Sequence, residues 1–81
     1  MSTASALSDP QYRTDLDVAY RTLRHEMDEV VKAYRAEQDL RRAMEIYNEG
    51  AARAQQHFKA AIQEARGALA ARTRREREDP W

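Results

Sequence analysis

Eighty-one residues with fourteen acids, fourteen bases and no cysteine exclude a multidomain enzyme, a disulfide scaffold and a thiolate metal site. Charged residues make up 35% of the chain and aromatics 7%, with only two Gly and two Pro, a profile of long exposed helices rather than of a globule. The formal net charge is zero, yet residues 1–40 hold eight acids against five bases and residues 41–81 nine bases against six acids, which favours antiparallel halves, within one chain or between chains.

The first eight residues, Met1-Ser-Thr-Ala-Ser-Ala-Leu-Ser8, lack the basic and apolar regions of a signal peptide and read as a disordered tail (1–8). Residues 9–78 read as a single helical domain and 79–81 as a C-terminal tail. No apolar run approaches the ~18 residues of a membrane span. A cytoplasmic protein, or one inside a particle assembled in the cytoplasm, is expected.

Ser8-Asp9-Pro10-Gln11 is a helix start. Either Asp9 caps with Pro10 at the first helical position, or Ser8 caps with Gln11 closing a capping box. Apolar residues then fall at Tyr12, Leu16, Tyr20, Leu23, Met27, Val30 and Tyr34, every third or fourth position, on one helical stripe. The stripe meets Glu37 and resumes at Leu40, Met44 and Tyr47. A second stretch runs through Ala51, Ala54, Phe58, Ala61 or Ile62, Ala65 and Leu69. Acid-before-base pairs four residues apart (Asp17–Arg21, Asp28–Lys32, Glu37–Arg41, Glu49–Arg53) support a solvated helix surface.

Asn48-Glu49-Gly50 reads as a helix stop, with Gly50 left-handed. The predicted fold is therefore all-α, an antiparallel two-helix hairpin with helices over about 10–47 and 51–78. The alternative is one continuous coiled-coil helix, because Met44, Ala51, Phe58 and Ala65 keep a seven-residue step through the glycine. A hairpin folded at residue 49 would set Val30 against Leu69 and bring Glu26, Asp28 and Glu29 toward Arg72, Arg74 and Arg75. It would leave Leu16, Tyr20 and Leu23 opposite arginine and glutamate, so that both folds predict an oligomer or a complex.

Catalytic chemistry finds no foothold. Thr14 and Thr73 lack a nearby His, there is no glycine-rich phosphate loop, and nearly every carboxylate has a base one turn away. His25 with Asp28 and Glu29 could offer ligands from one helical face, but the Glu-x-x-His of di-iron carboxylate bundles is absent, Thr22 standing where its Glu would be. No metal, cofactor or small-molecule substrate is expected. One segment, Thr22-Leu-Arg-His-Glu-Met-Asp-Glu-Val30 followed by Arg41, resembles the start of the first helix in the all-helical chorismate mutases. The resemblance covers roughly a quarter of the chain and implies Arg24 and Arg41 as substrate-binding residues. The lysine of that family has no counterpart at the corresponding place, which is Ala52 beside Arg53, and its second and third helices find no match.

Two other groups could bind. Arg72, Arg74, Arg75 and Arg77 form a candidate anion-binding cluster for phosphate, nucleic acid or anionic lipid, although Glu76, Glu78 and Asp79 interrupt it and no aromatic is interleaved for base stacking. Trp81, after Asp79-Pro80, is a candidate anchor for a partner's pocket. The tyrosines among the stripe residues keep one end wet and suit an interface rim. The leading expectation is a non-catalytic protein–protein interaction module, such as a scaffold, assembly factor, chaperone or inhibitor. It would act through Tyr12, Leu16, Tyr20, Leu23, Met27, Val30, Tyr34 and Trp81 on a second copy or a larger protein. Phosphate or nucleic-acid binding is the alternative, and a mutase-like enzyme a distant one.

Overall fold

The computed structural model describes residues 9–78, with side chains to residue 75. The predicted tails, Trp81 among them, and the side chain of Arg77 lie outside that description. Two α-helices make up the described chain, α1 (Pro10–Ala36) and α2 (Leu40–Glu78), packed antiparallel in a hairpin 64 × 17 × 15 Å in extent.

Helix α1 begins as the sequence indicates. Asp9 is the N-cap, with extended backbone (φ −71°, ψ 115°), and its Oδ1 accepts from the Tyr12 N–H at 2.8 Å. Pro10 opens the helix, where its missing N–H has no helical partner to lose. Thr14 Oγ donates back to the Pro10 carbonyl at 2.9 Å, and Arg21 pairs with Asp17 one turn earlier. Lys32 reaches Glu29 at 3.3 Å rather than the expected Asp28.

The turn lies at Glu37-Gln38-Asp39, eleven residues before the predicted one, and no glycine or proline takes part. Glu37 leaves the helix in an extended conformation (φ −85°, ψ 125°), its N–H still bonded to the Tyr34 carbonyl. Its carboxylate accepts from the Asp39 N–H at 3.2 Å. Asp39 then caps α2: its Oδ1 accepts from Arg41 N–H at 3.0 Å, and its carbonyl from Ala43 N–H at 2.8 Å. Two otherwise orphaned backbone donors, those of Asp39 and Arg41, are thereby satisfied by side chains, and the chain turns without a left-handed residue.

Gly50 therefore corrects the sequence reading. Neither glycine has a positive φ, and α2 passes through Gly50 without a break. The residue is small because of what it meets: a Cβ placed on it would fall 2.5 Å from Val30 Cγ2 and 3.0 Å from Cγ1. The continuous-helix alternative is corrected by the break at 37–39, and the expected register by its contacts. Val30 faces Gly50 rather than Leu69, Glu26 meets His57 rather than the C-terminal arginines, and Tyr20 packs on Phe58.

Small residues fill the helix–helix seam. The buried apolar set is Tyr12, Ala19, Ala43, Ala54 and Ala65. On α2 the three alanines recur every eleven residues, three turns at 3.67 residues each, which keeps one edge of a nearly straight helix on its neighbour. Alanine and glycine there allow close backbone approach. Tyr12 and Val30 apart, the large side chains sit beside the seam rather than in it.

Candidate functional site

A two-helix hairpin has two broad faces, and the contacts sort the side chains between them. Tyr20 and Phe58 pack with centroids 5.0 Å apart and ring planes tilted by 51°. Tyr34 and Tyr47 meet edge-on at 5.7 Å. Both pairs bridge the helices on one face, the front. Helical spacing adds Leu16, Met27 and Val31 from α1 and Leu40, Met44, Ile62 and Leu69 from α2. Met44 and Leu40 are 54% and 68% exposed, and Tyr20 58%. At the turn end Tyr34, Met44, Tyr47 and Asn48 line a recess.

The back face carries carboxylates and histidines over a floor of alanine, with Val18 and Ile46 among them. Glu26 and His57 bridge the helices there, with His57 Nδ1 3.0 Å from Glu26 Oε2 and 3.2 Å from Oε1. Around them lie Asp15, Thr22, Glu64 and Val18 toward the termini and His25, Glu29, Glu49 and Arg53 toward the turn. His25 thus sits in a groove with several carboxylates, but among the described residues no three of these side chains come together as a metal-binding group.

Of the sequence-predicted interface residues, Tyr20 and Tyr34 are exposed on the front face, and Leu16, Leu23, Met27 and Val30 are half-buried. Tyr12 is buried in the hairpin itself and Val30 is turned onto Gly50, so neither offers a free surface. The front face owes as much to Leu40, Met44, Tyr47, Phe58 and Ile62 of α2, whose periodicity is visible in the sequence. Their alignment with the α1 stripe depends on where the chain turns.

The arginine cluster is divided. Arg72 donates from Nη2 to Asp9 Oδ1 at 3.1 Å and is only 31% exposed. The same carboxylate oxygen thus caps α1 and holds the far end of α2. Asp9 ionises below its ordinary range, chiefly because it accepts from the Tyr12 N–H, with partial burial opposing and the Arg72 guanidinium assisting. Arg74 and Arg75 are exposed on the part of α2 that runs past this contact. Arg24 and Arg41, the pair implied by the mutase resemblance, stand exposed on different helices.

Among the described residues no helix is long and apolar enough to cross a membrane. Comparison of the chain with protein-family models, with curated proteins and with solved structures gives no match.

Proposed function

We infer that this protein is a non-catalytic interaction module that binds protein through the front face of its hairpin, as a scaffold, assembly factor or inhibitor does. One observation carries the reading: among the described residues no large side chain is fully buried, and of the six large apolar residues left exposed, five (Tyr20, Tyr34, Leu40, Met44 and Tyr47) gather along one face, with Val18 alone on the other. A chain of this size whose seam is mostly alanine gains little from its own core. Exposed Tyr20, Met44 and Tyr47 flanked by half-buried Leu16, Met27 and Phe58 form an apolar strip of the kind that marks an interaction surface. The tyrosines fit it, each presenting an apolar ring and a hydroxyl that remains hydrated at a rim.

The test compares two surface variants as affinity baits in an extract of the native cell. Tyr20→Ser with Met44→Ser removes the front face without touching the alanine seam. Val18→Ser alters an exposed apolar residue on the back. Loss of the bound protein in the first and its retention in the second are expected. Equal capture by both variants would contradict the reading.

A further inference from the structure

The chemistry of the front face extends to its edges. On α1, Arg13, Tyr20, Arg24 and Val31 share one column, at steps of seven, four and seven residues. On α2, Arg41, Asn48, Lys59 and Arg66 share another, at steps of seven, eleven and seven. Tyr20 and Asn48 fix both columns on the front, through the Phe58 contact and the Tyr34–Tyr47 recess. Every charge in them is positive. All five bases are exposed, and among the described residues the ion pairs are made by Arg21, Lys32, Arg42, His57 and Arg72 instead. The carboxylates Asp15, Glu26, Glu29, Glu49 and Glu64 line the back.

We propose that the occupant of this face is an amphipathic helix of another protein, carrying an apolar stripe with acidic residues along both flanks; the proposal rests on the interaction-module reading and names the partner's chemistry. The face from Leu16 to Tyr34 spans about 27 Å, the length of an ~18-residue helix, which would lie in the furrow between α1 and α2 and complete a three-helix bundle. Its acidic flanks meet Arg13 and Arg24 on one side and Arg41, Lys59 and Arg66 on the other. A second copy is the poorer fit. Two-fold symmetry sets this face against itself, so whichever helices align, a basic edge meets a basic edge at a cost in repulsion. The recess bounded by Tyr34, Met44, Tyr47 and Asn48 suits a projecting side chain rather than the plane of a membrane.

The full chain is titrated with two labelled synthetic helices that share one leucine stripe, flanked by glutamate in one and lysine in the other. Binding at least tenfold tighter for the glutamate helix at low salt is expected, narrowing as salt screens the flanks. The preference should reverse in the chain carrying Arg24→Glu, Lys59→Glu and Arg66→Glu, whose unaltered helicity is checked by circular dichroism. Equal affinities for the two helices would overturn the acidic partner and leave the interaction module standing. So would failure of both to bind together with a dimer that Met44→Glu disrupts. Capture on phosphatidylserine vesicles with no binding of the glutamate helix would overturn it in favour of lipid. No binding of either helix and no self-association would overturn this proposal and the reading beneath it together.

Discussion

Gly50 packs directly on Val30, closely enough that a Cβ at Gly50 would overlap the isopropyl group, which it would approach to 2.5 Å. This contact fixes the register of the hairpin, because it can form only when the chain turns near residue 38.

The two glycines of α2 should therefore respond oppositely to alanine. Nothing lies within 4 Å of a Cβ at Gly67, so Gly67→Ala should raise stability by about 1 kcal/mol, the propensity difference in a helix interior. Gly50→Ala has the same propensity gain but overpacks the seam, at a cost of ~1–3 kcal/mol, and should lower the urea midpoint or leave it flat. Val30→Ala should restore the propensity gain at position 50. A stabilised Gly50→Ala single variant would place the contact wrongly.

The alanine seam makes a second prediction. Ala54 is 1% exposed, while Ala52 faces solvent. Ala54→Leu should destabilise the hairpin by ~1–3 kcal/mol, and Ala52→Leu should change stability by less than about 0.5 kcal/mol. Urea unfolding of the two variants side by side checks this, and equal behaviour would argue against the seam.

The turn can be probed at its cap. Asp39→Ala removes the acceptor for Arg41 N–H and should cost about 1 kcal/mol. Asn48→Ala, at the position where the sequence suggests a stop, should fall within about 0.5 kcal/mol of the parent. The reverse order in thermal melts would restore the turn at 48–50.

Stability should also depend on pH through Asp9. Its folded carboxyl ionises below the ordinary range, held there first by the Tyr12 N–H and, against partial burial, by Arg72. The ionised form is therefore the better bound in the folded state, and its stabilisation is complete above the unfolded pKa of about 3.9. It is lost as pH falls through the lower folded value. Asp9→Asn keeps a capping oxygen without the charge, so the parent's advantage over it should be constant above about pH 5 and shrink below about pH 4. An advantage unchanged at the acid limit would contradict the assignment. Arg72→Gln in a double-mutant cycle with Asp9→Asn should show that the two residues are coupled.

Much of the architecture can be read from the residues alone. Asp9-Pro10 announces the first helix, and the steps from Tyr12 to Tyr34 announce its amphipathic face. The turn is harder to read because Glu37-Gln38-Asp39 carries neither glycine nor proline. Its signals are the break in the stripe at Glu37 and the capping aspartate at 39, whereas Asn48-Glu49-Gly50 imitates a stop. Gly50 is ambiguous in principle: a glycine needed for close approach and one needed for a left-handed turn are the same letter, and only its neighbour Val30 distinguishes them. The error in the turn carries through to Arg72, which looks free for anions until the true register brings Asp9 beside it. The basic columns of the front face depend on that same register, since Arg24 and Lys59 flank one surface only after the helices are aligned.

The central claim is that the front face binds a helix of another protein, and the solution mass of the full chain tests it most directly. Size exclusion with light scattering over a concentration series, with and without the glutamate-flanked helix, should give a monomer alone and a one-to-one complex with it. A chain that keeps its monomer mass at every concentration of that peptide, and of itself, would contradict the account.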